Sequence, residues 1–161
     1  MSSAILPGSY DPVTVGHLAV IREAASRFDE VYVVVFINPE KRYTFSLDER
    51  VKMLMLATDD LDNVLVSYSD GLVIDYMRDH EIEKIFKGYR NAVDLEYEKR
   101  MAEWNFAHGG YETELWKCPD DIACVSSTAV REMLLRGEVD KALLPERVYE
   151  YLTERENERD L

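Results

Sequence analysis

The sequence predicts an α/β fold: a doubly wound sheet of about five parallel strands with helices on both faces. Three observations carry this expectation. The run Val31-Tyr32-Val33-Val34-Val35-Phe36-Ile37 is β-branched and aromatic with no polar alternation, the mark of a strand covered on both faces. Ahead of it lie a short apolar run, Ala4-Ile5-Leu6, and a helix-like segment from Leu18 to Phe28. Strand, helix and buried strand in that order form a βαβ unit, and strand-like and helix-like segments keep alternating down the chain.

The first strand ends in Pro7-Gly8-Ser9-Tyr10-Asp11-Pro12-Val13-Thr14-Val15-Gly16-His17. This is far more turn chemistry than a plain connection needs. Gly8 lets the backbone approach another group closely, and Gly16 leaves room where the helix begins. The free N–H groups of a helix start form a ready anion site, and His17 sits in that first turn. In the helix, Ile21, Ala24, Ala25 and Phe28 recur at helical spacing and give it one buried face.

Asn38-Pro39-Glu40-Lys41-Arg42 leaves the end of the second strand, where ligands bind in open α/β sheets. Lys41 and Arg42 there read either as a solvated basic loop or as a phosphate contact. Ser46-Leu47-Asp48-Glu49 has the form of a capping box, so a helix should run from about Leu47 to Leu61. It should bury Val51, Leu54, Met55 and Leu61 and leave Arg50 exposed or near the cap. A third strand is expected over Asn63–Tyr68. Gly71 precedes a helix from Leu72 to about His80, with Val73, Tyr76 and Met77 on one side; His80 reads as a helix-end residue without chemistry.

A fourth strand is expected over Ile82–Phe86, followed by Lys87-Gly88-Tyr89-Arg90. That segment is either a surface turn or a close approach to a phosphate chain. The next helix opens at Asn91 and runs to about Ala107. Asp94 and Glu98 lie at i, i+4 on one face of it, as a metal pair or as solvated carboxylates. Glu112–Lys117 alternates polar and apolar residues like an edge strand. Ser127 is the expected N-cap of a helix ending at Gly137, and Pro145 the expected first-turn residue of a last short helix.

Composition bounds the function. The 161 residues suit one domain over residues 1–161, with 154–161 expected as a frayed charged tail. No apolar run approaches the roughly 18 residues of a membrane span, and no leader pattern is seen, so a cytoplasmic protein without membrane partners is expected. Cys118 and Cys124 are too few for a disulfide scaffold. A net charge of −13 argues against nucleic-acid partners, which need a basic footprint. Any polyanion site must therefore gather the scarce cations in one place. Lys41, Arg42, Lys87, Arg90 and Arg131 all fall at strand ends or at a helix start.

Thr14-Val15-Gly16-His17 resembles the [TH]-x-G-H signature of the nucleotidyltransferase superfamily. The Pro7–Pro12 lead-in is similar to the P-G-[ST]-F-D-P segment of bacterial phosphopantetheine adenylyltransferases, with Tyr10 in place of Phe. Lys87-Gly88-Tyr89-Arg90 resembles that family's R-G-[LI]-R, with Lys87 and Tyr89 as departures; Lys keeps the charge but loses the bidentate fork. Val125-Ser126-Ser127-Thr128-Ala129-Val130-Arg131 resembles its I-S-S-[TS]-x-[VI]-[RK] motif.

The resemblance implies a Rossmann-like fold and the reaction of ATP with 4′-phosphopantetheine to give dephospho-coenzyme A and pyrophosphate. It implies catalytic roles for His17, Lys41 and Thr14. Ser9, Lys41, Val73 (with Leu72) and Lys87 would meet the acceptor. ATP would meet Ser9, Tyr10, His17, Gly88, Tyr89, Arg90, Glu98, Ile122, Val125, Ser126, Ser127 and Thr128. It further implies Mg²⁺ bridging phosphates with few protein ligands, a homohexamer, and inhibition by coenzyme A. The sequence offers no activated nucleophile, so no covalent enzyme intermediate is expected. Two other readings stand beside this one: adenylyl transfer to another phosphate such as nicotinamide mononucleotide, and a non-catalytic nucleotide sensor.

Overall fold

The computed structural model describes residues 2–121, 126–138 and 140–159, the side chains of 156–159 excepted. Five strands form one sheet: β1 (Ser3–Gly8), β2 (Glu30–Phe36), β3 (Val64–Ser69), β4 (Lys84–Tyr89) and β5 (Glu112–Lys117). The helices are α1 (Val15–Arg27), α2 (Leu47–Thr58), α3 (Val73–His80), α4 (Ala92–Gly109), α5 (Ser127–Leu135) and α6 (Glu146–Arg159), with a 3₁₀ turn at Lys141–Leu143 that the sequence reading lacked. The strand order is β3-β2-β1-β4-β5, and every pairing is parallel.

Strand alternation divides the core. Ala4, Leu6, Val31, Val33, Val35 and Phe86 point to one face, where Ile21, Leu54, Val130 and Val148 bring in α1, α2, α5 and α6. Ile5, Val34 and Ile85 point to the other, against Met77 of α3, with α4 packed alongside. Both faces of the central strands are thus covered, as their unbroken apolar runs require. The chain winds outward from β1 in both directions, so a crevice opens between the carboxyl ends of β1 and β4, the switch point at which such sheets bind ligands.

Several boundaries differ from the sequence reading. The strand expected over Ile82–Phe86 is displaced to Lys84–Tyr89, because its ladder with β5 continues to Tyr89 opposite Lys117. Lys87, Gly88 and Tyr89 therefore lie within β4 rather than after it. Helix α2 stops at Thr58, and its inner face is Arg50, Met53, Leu54, Ala57 and Thr58. Met55, expected inside, is 50% exposed. The apolar spacing of Val51, Leu54 and Met55 fits a face turned one residue away, and packing against α6 selects the other. Arg50, expected to be exposed or near the cap, sits in the first turn after the cap and is buried.

The expected frayed tail is instead the end of α6, which runs to Arg159. Arg155 pairs with Glu49 at 2.6 Å and lies over the Phe45 ring. Pro145 precedes that helix rather than opening it, and its carbonyl accepts the Tyr149 N–H.

Candidate active site

The loop between β1 and α1 is held from several sides. Tyr10 adopts φ = 47° and is buried. Its hydroxyl donates to the Leu6 carbonyl at 2.9 Å, which gives the polar tip of a Tyr a partner in an otherwise apolar place. Gly8 makes room for that ring, since a Cβ there would meet Tyr10 at 3.0 Å. Asp11 is buried, and its carboxylate accepts the N–H groups of Thr44 and Phe45, each at 2.9 Å.

Thr14 caps α1. Its Oγ1 accepts the His17 N–H at 3.3 Å, while its own N–H donates to His17 Nδ1 at 3.1 Å. This is a capping box with histidine in the place usually held by Glu. A backbone N–H can only donate, so Nδ1 must accept and the ring proton of the neutral imidazole sits on Nε2. Burial, then the charges of Lys87 and Arg90, push the His17 pKa down to about 4. At pH 7 His17 is a neutral donor with a fixed tautomer, its ring met edge-on by Tyr10 at 5.0 Å.

His17 opens on a cavity of about 430 Å³. Its walls are the Gly8–Tyr10 loop, the start of α1, Lys87, Gly88 and Arg90 of the β4 end, Asp94, Tyr97 and Glu98 of α4, Cys118, and Ser126, Ser127 and Thr128 at the start of α5. A second cavity of about 520 Å³ adjoins it and shares Pro7, Gly8, Ser9, Lys87, Tyr97 and Glu98. Its other walls include Phe36, Ile37, Asn38, Lys41, Tyr43, Leu72, Val73, Met101 and Asn105. Lys41 Nζ stands 3.5 Å from Ser9 Oγ.

Two cations of the crevice, Arg90 and Lys87, are paired with α4. Arg90 holds Asp94 at 2.7 and 3.3 Å through two guanidinium nitrogens, and this keeps the Asp94 carboxyl below its usual pKa. Lys87 meets Glu98 at 3.4 Å. Each of the two carboxylates is thus paired with a cation of the β4 end. Among the described residues, no cluster of three or more His, Cys, Asp or Glu has metal-site geometry.

Most of the site residues read from the sequence come together here: Ser9, Tyr10, His17, Lys41, Val73, Lys87, Gly88, Arg90, Glu98, Ser126, Ser127 and Thr128. Thr14 stands behind His17 and lines neither cavity, nor does Tyr89. Ser126, not Ser127, is the N-cap of α5; its Oγ accepts the Ala129 N–H, whereas Ser127 Oγ donates to the Pro12 carbonyl at 2.8 Å. The register of the cap follows from this tie to the first loop. Arg131 leaves the expected mouth and donates to the Asp11 carbonyl and Thr128 Oγ1. Arg42 is exposed and lines neither cavity. Ile122 and Val125 lie outside the described residues.

Sequence reasoning missed Asp11 and Arg50, which brace the loops, and Tyr43, Tyr97 and Asn105, which line the walls. For Arg50 a signal existed: it stands at i−3 and i−4 from Met53 and Leu54, on the apolar face of α2. The walls of both cavities run from Leu6 to Thr128. The cytidylyltransferase-like family model matches residues 5–133 and so spans them all.

The chain belongs to the cytidylyltransferase-like family.

A curated member from Clostridium novyi (strain NT), a phosphopantetheine adenylyltransferase, is 38% identical over 149 residues, 92% of each chain. Two solved structures share the fold at low identity. A putative nicotinate-nucleotide adenylyltransferase from Vibrio parahaemolyticus has a TM-score of 0.68 at 19% identity, over 95% of this chain and 99% of its own. A bifunctional NMN adenylyltransferase/ADP ribose pyrophosphatase from Francisella tularensis, complexed with AMP and a Mn ion, has a TM-score of 0.73 at 16% identity, over 97% of this chain and 49% of its own. The overall fold is therefore one that these two structures share.

Proposed function

We propose that the protein transfers the adenylyl group of ATP to 4′-phosphopantetheine, giving dephospho-coenzyme A and pyrophosphate. The observation that carries this reading is a pair of joined cavities: a more polar one on His17 and two helix starts, and a more apolar one on Lys41, with Ser9 and Lys87 in the shared wall. A nucleoside triphosphate suits the first; a phosphate on an apolar arm suits the second. The identity to the clostridial adenylyltransferase over nearly the whole chain supports the choice of acceptor.

An acceptor phosphate monoester, with a second pKa of about 6, is largely dianionic at pH 7 and needs no general base. One of its oxygens attacks the α-phosphorus of ATP; the bond to the bridging oxygen breaks, and pyrophosphate leaves with that electron pair. The protein contributes orientation and charge stabilisation. His17 Nε2–H donates to an α-phosphate oxygen, and Thr14 holds it in that tautomer. Ser9 and the Tyr10 backbone approach the same phosphate.

Lys41 and Lys87 hold the acceptor phosphate, and Leu72, Val73 and Met101 line its arm. Arg90 and the α5 start hold the β- and γ-phosphates. The Ser127 hydroxyl is already donated to Pro12, so its part is the free N–H of the helix start, next to the Thr128 hydroxyl. Glu98 faces both substrates and orders Lys87. Asp94 and Glu98 are engaged by cations, so Mg²⁺ belongs to the substrate, carried on the ATP phosphates, rather than to a protein cage.

The reading extends to a cytoplasmic homohexamer sensitive to coenzyme A. Among the described residues no helix is long and apolar enough to cross a membrane. One side of α4 exposes Val93, Tyr97, Met101 and Trp104, a stripe suited to self-association. Coenzyme A carries the same pantetheine arm and would compete for the second cavity.

Pyrophosphate release with ATP, Mg²⁺ and 4′-phosphopantetheine, run beside nicotinamide mononucleotide, tests the proposal. Release with phosphopantetheine alone is expected. Release only with the other acceptor moves the chain to that chemistry. ATP binding without release from either leaves a nucleotide sensor.

A further inference from the structure

Arg50 is the only basic residue buried among the described residues, at 2% exposure. Its surroundings are unusual for a buried charge. Nη1 donates to the Ser9 carbonyl at 3.1 Å, and the guanidinium lies 3.9 Å from the centroid of the Tyr43 ring. No carboxylate among the described residues forms an ion pair with it, and Nε has no hydrogen-bond partner. Burying a charge is costly unless it is paired. Here one carbonyl and one ring face are its compensation.

What Arg50 touches is informative. Ser9 lines both cavities, and Tyr43 lines the one that holds Lys41. The Tyr43 hydroxyl accepts the Asn38 N–H at 2.9 Å and so fixes the start of the Lys41 loop. Asp11 braces the same pair of loops from the other side through Thr44 and Phe45. Arg50 therefore stands behind the junction of the two cavities and grips a wall of each, without lining either.

We propose that Arg50 is a positioning residue for the transfer: it sets the spacing of the ATP loop and the acceptor loop, and binds neither substrate. This rests on the adenylyl-transfer reading above. In-line transfer is sensitive to such spacing, since a misplacement of about 1 Å can cost about a hundredfold in rate. Binding of ATP alone needs only one of the two walls.

The test uses the full chain with Arg50→Lys, which keeps the charge but loses the planar fork and stack. The expected result is a kcat lowered by roughly 10- to 100-fold with the Kd for ATP within about threefold of the parent. Tyr43→Leu removes the stack from the other side and should show the same split. Combined with Arg50→Lys it should add little, because both break one link. If Arg50→Lys fails to fold, Tyr43→Leu carries the same comparison. A kcat per folded molecule within about threefold of the parent overturns the proposal, as does an ATP affinity that falls in step with kcat.

Amide hydrogen exchange provides an arm independent of turnover. Residues 8–14 and 38–46 should lose protection together in Arg50→Lys while α2 stays protected. Loosening of one segment alone overturns the coupling. A parent protein that releases no pyrophosphate with phosphopantetheine refutes the functional reading instead, and the exchange arm then judges Arg50 by itself.

Discussion

His17 shows how much one residue can owe to its neighbours. Thr14 N–H fixes its tautomer, and burial with Lys87 and Arg90 keeps it neutral. Replacing it with Ala should raise the transfer barrier by about 3 to 4 kcal/mol, the scale of a lost oxyanion-type donor. Single-turnover rates at saturating ATP check this, and a loss under tenfold would remove the role. The depressed pKa also has a stability consequence. Between the unfolded value of 6.5 and the folded value of about 4, the unfolded chain binds a proton that the native chain does not. Stability at this site is therefore fully present above pH 6.5 and falls as the pH drops, by up to about 1.4 kcal/mol per unit. Urea unfolding at pH 7 and pH 5 should show a smaller pH difference for His17→Ala than for the parent. Thr-x-Gly-His was legible as a helix start with a histidine in its first turn. The tautomer was not, because it depends on a backbone N–H brought round by the loop.

At the scale of elements, β4 is the instructive case. Its apolar run predicted a strand, and a strand is present, yet the boundary moved by three residues at its end because the ladder with β5 extends to Tyr89. Gly88 consequently lies inside a strand, packed beneath α1. A Cβ there would stand 2.4 Å from Val20 Cγ2 and 3.1 Å from Cys118 Sγ. Gly88→Ala should therefore destabilise the protein by about 1 to 3 kcal/mol, as overpacking does. It should also weaken ATP binding, since Gly88 and Cys118 are part of the same cavity wall. Denaturant midpoints and calorimetry with ATP measure the two effects; a stability change below about 0.5 kcal/mol would mean that α1 shifts aside freely. The two capping boxes behave differently. Ser46 with Glu49 was readable from spacing alone, whereas Thr14 with His17 lacks the usual Glu and is seen only in three dimensions.

For the whole molecule, the net charge of −13 set a condition that the fold meets: cations must converge if polyanions are to bind. Lys41, Lys87 and Arg90 do converge, while Arg42 and Arg131 do not line the cavities. The exposed α4 stripe runs from the crevice, where Tyr97 and Met101 line the walls, out to Trp104. Trp104 belongs to it, is 41% exposed, stacks on His108 at 4.0 Å, and lines neither cavity. Trp104→Glu should shift the proposed hexamer toward smaller species in sedimentation velocity while the variant still binds ATP. An unchanged mass distribution would overturn self-association through this face.

The sequence by itself determined the α/β class, the alternation of strands and helices, and the chemical types at the site. These are local properties: apolar period, turn residues, and short motifs that need only their own neighbours along the chain. Tertiary structure decided the strand order, the inner face of α2, the burial of Arg50, and the pairing of Lys87 and Arg90 with α4. Each of these depends on which distant segment wins a competition for the same surface or the same hydrogen bond. An arginine on an amphipathic helix reads as solvated until another loop arrives to cover it. Here Ser9 and Tyr43, 41 and 7 positions away in the sequence, are what cover it.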